Sequence, residues 1–356
     1  MQPSCLVKTM RRYVRNSLKN IRRSRRRWRN SINRGLRGGL ENGRPARLDT
    51  EVQMRLKIGG YQSEGSVHTA GVRAFLDALD AKAQGFDLDL SINVTAEGIA
   101  AGSLFSGTET GDFDVCYMAS GYLSGRVPSL DLLDVPFSVV DRLKAYDALD
   151  GDVGEILRRD VRAETGLHVM AFWDNGFRHV SNSVRSIRHP RDCDALVIRT
   201  LNNQSYMDLL KDLGFQPVVT DVKELVEKVR SGAVDAQENP LTNLVNFGLH
   251  EYHRHVTMTS HIFGVVLFAA NGRWWDGLSD AQRSRVETAA RSASAVQRQA
   301  SIDDDRKLLD VLIDDGVEVL SADAIDVQAF RDASAACAGN LRKKLPDDLC
   351  QAYLQA

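Results

Sequence analysis

From residue 55 onward the chain switches repeatedly between two hydrophobic periods, and that alternation restricts it to folds in which strands and helices take turns. Arg55-Leu56-Lys57-Ile58-Gly59-Gly60 alternates polar and apolar residues before two glycines, a strand that delivers the chain to a turn. Val72, Phe75, Leu76 and Leu79 then recur at helical spacing, and residues 86–92 alternate again as a second strand. A buried strand is read at 113–118, one helix over 142–159 and a further strand at 167–172. This β-α-β order favours a mainly parallel sheet with helices on its faces.

The second half uses the same grammar. A strand is read at 195–199, a helix at 205–213 ending before Gly214, and a strand at 217–219. Asp221 with Glu224 three residues on then caps a helix that stops at Gly232, and residues 234–236 begin another strand. Gly111-Asp112-Phe113-Asp114 and Gly232-Ala233-Val234-Asp235 repeat a G-x-x-D pattern at a helix-to-strand joint, where glycine takes the left-handed cap. The echo points to two similar α/β lobes rather than one large sheet. Residues 279–312 read as a long alanine-rich helix, 316–320 as a strand and 327–337 as a closing helix. Lobe I is placed at 49–176, with about 265–300 returning to it, and lobe II at 177–264, with about 301–356 packing on both.

A formal net charge of -1 conceals two unlike parts. Residues 1–48 hold fifteen Lys and Arg against one acid, Glu41, and the remainder holds 31 basic and 46 acidic residues. The arm is open to three readings: a disordered tail held apart by its own repulsion, a start codon assigned too far upstream, or a phosphate-binding arm whose arginines surround Trp28. No secretory leader is read there, because the apolar stretch of about 7–15 residues is missing. In the body, no run of about 18 apolar residues spans a membrane. Five cysteines are too few for a disulfide scaffold; Cys337 and Cys350 could pair, with plain thiols the preferred reading.

Signatures of chemistry are missing. There is no phosphate-binding loop of the G-x-x-x-x-G-K-[ST] type, no G-x-G-x-x-G, no G-x-S-x-G and no H-E-x-x-H. His250, His253, His255 and His261 are the best metal-like group, yet no third or fourth ligand is arranged to complete a shell. Cys116 sits in an apolar strand with nothing catalytic around it. No catalytic residue, metal or cofactor is expected.

One strip stands out: Val234-Asp235-Ala236-Gln237-Glu238-Asn239-Pro240, read as a strand running into a polar turn, where an open α/β sheet places ligand groups. Forty residues earlier Arg199 closes a strand after four apolar residues, a costly place for a cation unless an anion meets it. Upstream lies Asn175-Gly176-Phe177-Arg178. Together with the Thr259-Ser260-His261 strand, and Trp274-Trp275 followed by Leu278-Ser279, these residues closely resemble the solute-binding subunits of TRAP (tripartite ATP-independent periplasmic) transporters, the DctP-like family.

The resemblance implies a two-lobed periplasmic-binding-protein-like α/β fold with a hinge and a long C-terminal helix. It implies a receptor, not an enzyme, that binds a small organic-acid anion between its lobes and passes it to membrane subunits. By position, Arg199 matches the arginine that pairs with the ligand carboxylate and Asn239 the asparagine beside it. Arg178 matches a second basic position, Asn202 a ligand-reaching position after Arg199, and Tyr61 and Gln62 a pocket loop. Glu238 is read either as a ligand contact or as a buried acid orienting its neighbours. Residues 94–110 keep little of the family's motif, and Val222 stands where relatives often carry an aromatic ring. A monomer in the periplasm is expected, without nucleic acid unless the basic arm binds it. The alternatives are an enzyme on the same fold and a ligand sensor acting on nucleic acid through the arm.

Overall fold

The computed structural model describes residues 54–354. The basic arm, with Trp28 and Cys5, lies outside the described residues. Among the described residues there are nine strands: β1 (Met54–Gly59), β2 (Phe86–Ser91), β3 (Val115–Ala119), β4 (His168–Asn182), β5 (Val197–Thr200), β6 (Gln216–Val219), β7 (Ala236–Asn239), β8 (His255–Ala270) and β9 (Glu318–Leu320). The helices are α1 (Val67–Leu79), α2 (Leu104–Thr110), α3 (Arg142–Asp150), α4 (Asp152–Thr165), α5 (Gln204–Asp212), α6 (Val222–Arg230), α7 (Leu241–Asn246), α8 (Gly272–Gly277), α9 (Asp280–Asp314), α10 (Val327–Ala333), α11 (Ala335–Arg342) and α12 (Asp347–Tyr353).

All nine strands join in the order β2-β1-β3-β8-β4-β7-β5-β6, with β9 on β8. The two lobes are therefore not separate sheets, as the sequence suggested. They share β4 and β8, whose 15 and 16 residues run antiparallel through both halves. Pairing is parallel at each end (β1 with β2 and β3, β5 with β6 and β7) and antiparallel in the middle, so the sheet is mixed. Midway along the long pair, Gly176 faces Gly264 beside a register shift, and Gly176 has φ +93°, which only glycine adopts without strain.

The G-x-x-D echo is a repeated joint. Gly111 and Gly232 both take positive φ, at +94° and +70°. The Asp114 carboxylate accepts the Lys57 amide at 2.7 Å, and Asp235 accepts the Val197 amide at 2.9 Å. The Asp114 and Asp235 amides in turn donate to the Lys57 and Val197 carbonyls, both at 2.9 Å. Each aspartate thus ties its own strand to the neighbour it must join.

The 35-residue α9 is capped by Ser279 with Gln282, after Trp275 has buried itself against His168 at 3.7 Å between ring centres. It packs along α1, β4, α7 and β9, crossing from one half of the sheet to the other. Where one helix was read over 142–159, Gly151 leaves helical geometry (φ −103°, ψ −147°) and separates α3 from α4. The closing helix is likewise split at Ser334 into α10 and α11. Asp221 caps α6 as expected by accepting the Lys223 amide at 2.9 Å, while Glu224 pairs with Lys228 instead of completing a box.

Cys337 and Cys350 are free thiols, and among the described residues no cluster of His, Cys, Asp or Glu could hold a metal. His253, His255 and His261 are drawn to Ser181, Glu318 and Glu238 respectively, three separate places. No helix among the described residues is long and apolar enough to cross a membrane.

Candidate functional site

Arg199 enters the interior because β5 is central in its half of the sheet: Ile198 and Thr200 on either side are wholly buried, and Arg199 itself is 2% exposed. Its Nε donates to the Thr220 carbonyl at 2.8 Å and its Nη2 to the Tyr122 hydroxyl at 3.3 Å. Among the described residues no carboxylate lies within ion-pair distance, and Nη1 has no partner. The internal ion pair with Asp194 or Glu238 that could have explained this cation is not formed. A buried guanidinium without a counter-ion is expensive unless an anion arrives.

Glu238 is spoken for. It stands on β7 next to β4, with both oxygens on Arg178, one against Nε and one 2.8 Å from Nη2. Nη2 of Arg178 also donates to the Glu238 carbonyl at 2.7 Å and to the Asn239 carboxamide oxygen at 3.2 Å. Burial pushes the Glu238 carboxyl up, but Arg178 and the hydrogen bond from His261 outweigh it and bring the pKa down to about 2. Arg178 is held above its ordinary range despite its burial, chiefly by the same carboxylate. The pair is a fork-on-fork contact in a dry site, which fixes the Arg178 plane 5.4 Å from the Tyr206 ring.

The cleft between the two halves is lined by both arginines with Tyr61, Tyr122, Tyr206 and Phe247, the carboxamides of Asn175, Asn239 and Asn243, and the small Gly121 and Gly264. The free cavity between these side chains is small, about 20 Å³. At its edge the Asp221 carboxylate accepts the amides of Ala101 at 3.1 Å and Gly102 at 2.9 Å, and Lys223 Nζ reaches the Gly98 carbonyl at 2.6 Å.

A family model, DctP, bacterial extracellular solute-binding protein, family 7, matches residues 58–344. The chain belongs to that family. It is 30% identical over 278 residues to the 2,3-diketo-L-gulonate-binding periplasmic protein YiaO of Escherichia coli, covering 78% of this chain and 84% of that relative. It is 23% identical over 278 residues to the sialic acid-binding periplasmic protein SiaP of Vibrio cholerae, covering 78% and 85%. Among solved structures, a TRAP periplasmic solute binding protein from Polaromonas sp. JS666 bound to D-erythronate is similar with a TM-score of 0.79 at 28% identity, covering 85% of this chain and 98% of that one. These relatives are binding receptors, not enzymes.

In this DctP-family chain the residues expected at the site divide into three groups. Arg199, Arg178, Asn239 and Tyr61 line the cleft. Gln62 and Glu238 lie fully buried behind it: Gln62 Nε2 donates to Asn243 Oδ1 at 2.8 Å, and Asn243 Nδ2 to Asn239 Oδ1 at 3.1 Å, so Gln62 is joined to the cleft by a chain of carboxamides. Asn202 is exposed and does not line the cleft. It occupies the bend before α5, and the inward-facing residue there is Asn203, which caps α5 and donates to Gly121, Ser124 and Asp134.

The strip at 236–239 is not a turn after a strand. It is the buried strand β7, made tolerable because Gln237 donates to Ser181 at 2.5 Å, Glu238 pairs with Arg178, and Asn239 donates to Gln237 at 2.5 Å. Residues 94–110 contribute the amides that Asp221 grips and no lining side chain; the first half lines the cleft through Tyr61, residues 119–122, Asn175 and Val265. Val222 does line it, and Phe247 supplies an aromatic face. Tyr122, Tyr206, Asn243 and Phe247 were not singled out in the sequence, since a tyrosine or asparagine in an amphipathic pattern carries no sign of which side chain it will meet.

Proposed function

We propose that this protein is the extracytoplasmic solute receptor of a TRAP-type transporter, which takes a small organic-acid anion between its lobes and delivers it to membrane subunits. Lobe I comprises 49–176 with 265–300 returning to it, and lobe II 177–264 with 301–356 packing on both. The facing glycines Gly176 and Gly264 lie where β4 and β8 pass between them, a natural place for a hinge. Arg199 receives the carboxylate through Nη1, with Nε and Nη2 already anchored to hold the plane of the guanidinium. Asn239, Arg178 and Tyr61 surround the ligand, and Glu238 and Gln62 orient them. The receptor works as a monomer in the periplasm.

The observation that carries this reading is the cleft-lining Arg199, 2% exposed and without a carboxylate partner among the described residues. A thermal-shift screen of the full chain against hydroxy, oxo, sugar and dicarboxylic acids tests it. A bound acid at 100 times its dissociation constant stabilises the native state by about 2.7 kcal/mol. The reading is lost if no carboxylate raises Tm.

A further inference from the structure

Resting on that reading of the cleft, we infer that Asp134 is a positioning residue of the ligand site, which holds the cleft wall from behind and takes up a proton when an anionic ligand binds. Asp134 closes the 3-10 helix Pro128–Asp134 and is 3% exposed. Three donors converge on its carboxylate: the Tyr206 hydroxyl at 3.3 Å on one oxygen, and the Asn203 carboxamide and the Ser124 hydroxyl, both at 3.1 Å, on the other. Asn203 also donates to the Gly121 carbonyl at 2.9 Å. Tyr206 and Gly121 both line the cleft. One carboxylate therefore braces a piece of wall from each half, Tyr206 directly and Gly121 through Asn203.

All three donors are neutral, and no ion pair reaches Asp134 among the described residues. The titratable and charged groups facing it are Asp131 on its own helix, Tyr206 on α5 with Arg178 of β4 beyond the ring, Tyr353 on α12, and His261 on β8, whose carbonyl accepts the Phe137 amide at 2.8 Å. Arg178 is committed to Glu238, Lys344 faces Asp131, and the buried Tyr353 hydroxyl meets no partner among the described residues. Burial and the charge of Asp131 therefore outweigh the three hydrogen bonds and raise the Asp134 carboxyl to about 7. Tyr206 is itself pushed well above its ordinary range, chiefly by burial, so its hydroxyl goes on donating. An anion in the cleft is separated from this carboxylate by little more than the Tyr206 side chain, in a dry wall where like charges repel. Protonation removes the repulsion and keeps the brace, because a neutral carboxyl still accepts from Tyr206. The bound protein thus holds the proton more tightly than the free one. Affinity is fully present below about pH 7 and declines as pH rises from there to the pKa of the bound form.

Calorimetry on the full chain, in buffers of different ionisation enthalpy, counts the protons taken up with the ligand. The probe is the acid that raises Tm most in the screen, in which D-erythronate, D-gluconate, succinate and pyruvate are included. Near pH 7.5 the wild type is expected to take up about 0.3 proton per ligand, and its affinity to be about threefold weaker at about pH 8.5 than at about pH 6. Asp134→Asn, neutral throughout, is expected to bind at the higher pH as tightly as the wild type does at the lower, with no proton uptake. Binding without proton uptake in the wild type overturns the inference and leaves the receptor intact, as does uptake that persists unchanged in the variant and so belongs to His261 or another group. Failure of every acid in the screen overturns the receptor reading itself. Should Asp134→Asn not fold, Tyr206→Phe keeps the ring and removes a donor from the carboxylate, so the decline in affinity is expected to start at higher pH; a decline that starts at the wild-type pH overturns the inference.

Discussion

The Asp221 carboxylate spans the mouth of the cleft to the Gly102 amide, 2.9 Å away, while its other oxygen holds the Lys223 amide that begins α6. One side chain thus caps a helix in one half of the sheet and grips the backbone of the other. Asp221→Ser separates the two jobs, because serine is a good cap but is too short to cross the mouth. We expect a small change in melting and about tenfold weaker ligand binding through faster dissociation, since the partly solvated hydrogen bonds to the amides of Ala101 and Gly102 contribute about 0.5–1.5 kcal/mol each. Stopped-flow dissociation rates check this; equal rates rule out a closing contact.

Arg199→Ala removes the charge that Nη1 offers the ligand. Loss of a charge-assisted pair in a buried site is expected to weaken carboxylate binding by about 2–4 kcal/mol. Arg199→Lys is expected to recover only part of this, because an ammonium cannot hold Thr220, Tyr122 and the ligand with one planar fork. Calorimetry on both variants is the measurement, and unchanged affinity in Arg199→Ala dismisses the assignment.

Asp134 accepts hydrogen bonds from Ser124, Asn203 and the cleft-lining Tyr206, yet burial, with the charge of Asp131 added, raises its pKa from 3.8 to about 7. Its folded pKa lies above the unfolded one, so the native state keeps a proton that the unfolded chain has released between about pH 4 and 7. This group therefore lowers stability as pH rises through that window and has no further effect above it. Asp134→Asn is expected to remove the decline, so that the variant gains on the wild type between pH 4.5 and 7.5. A Tm difference independent of pH over that range refutes the assignment.

Gly176→Ala forces a side chain onto φ +93°, with its Cβ 3.0 Å from Pro240 Cβ. Strain at such a position is about 1–3 kcal/mol. Chemical denaturation should report that loss, with β4 pairing disturbed where it passes Gly264. If the variant is as stable as wild type, the backbone there is not held at its observed angle.

Periodicity revealed the elements that bury one face. α1 and α6 show this, as do the alternating β1 and β2. It failed where a strand buried on both faces carries polar residues. β4 has no exposed residue in 15, and its Asp174, Asn175 and Arg178 are polar yet interior, so only its first residues read as a strand. β7 misled for the same reason: Gln237, Glu238 and Asn239 look like a solvated turn until their partners are known. The joints at Gly111 and Gly232 were legible because a left-handed cap has a strong chemical preference for glycine. Asn202 and Asn203 could not be told apart by position, because a one-residue difference in where the bend turns inward decides which carboxamide is buried.

Arg199 was marked by its own neighbours: a cation closing an apolar strand needs an anion wherever that strand lies. The family and the fold class were likewise carried by local residues, above all the 234–240 strip. Which cation is left uncompensated was settled elsewhere, by sheet order. Arg178 meets Glu238 across 60 residues of chain because β4 lies beside β7, and Arg199 meets Tyr122 across 77. Charge is a property of each residue, but its compensation depends on distance and dielectric, and both are set only when β4, β5, β7 and β8 close into one sheet.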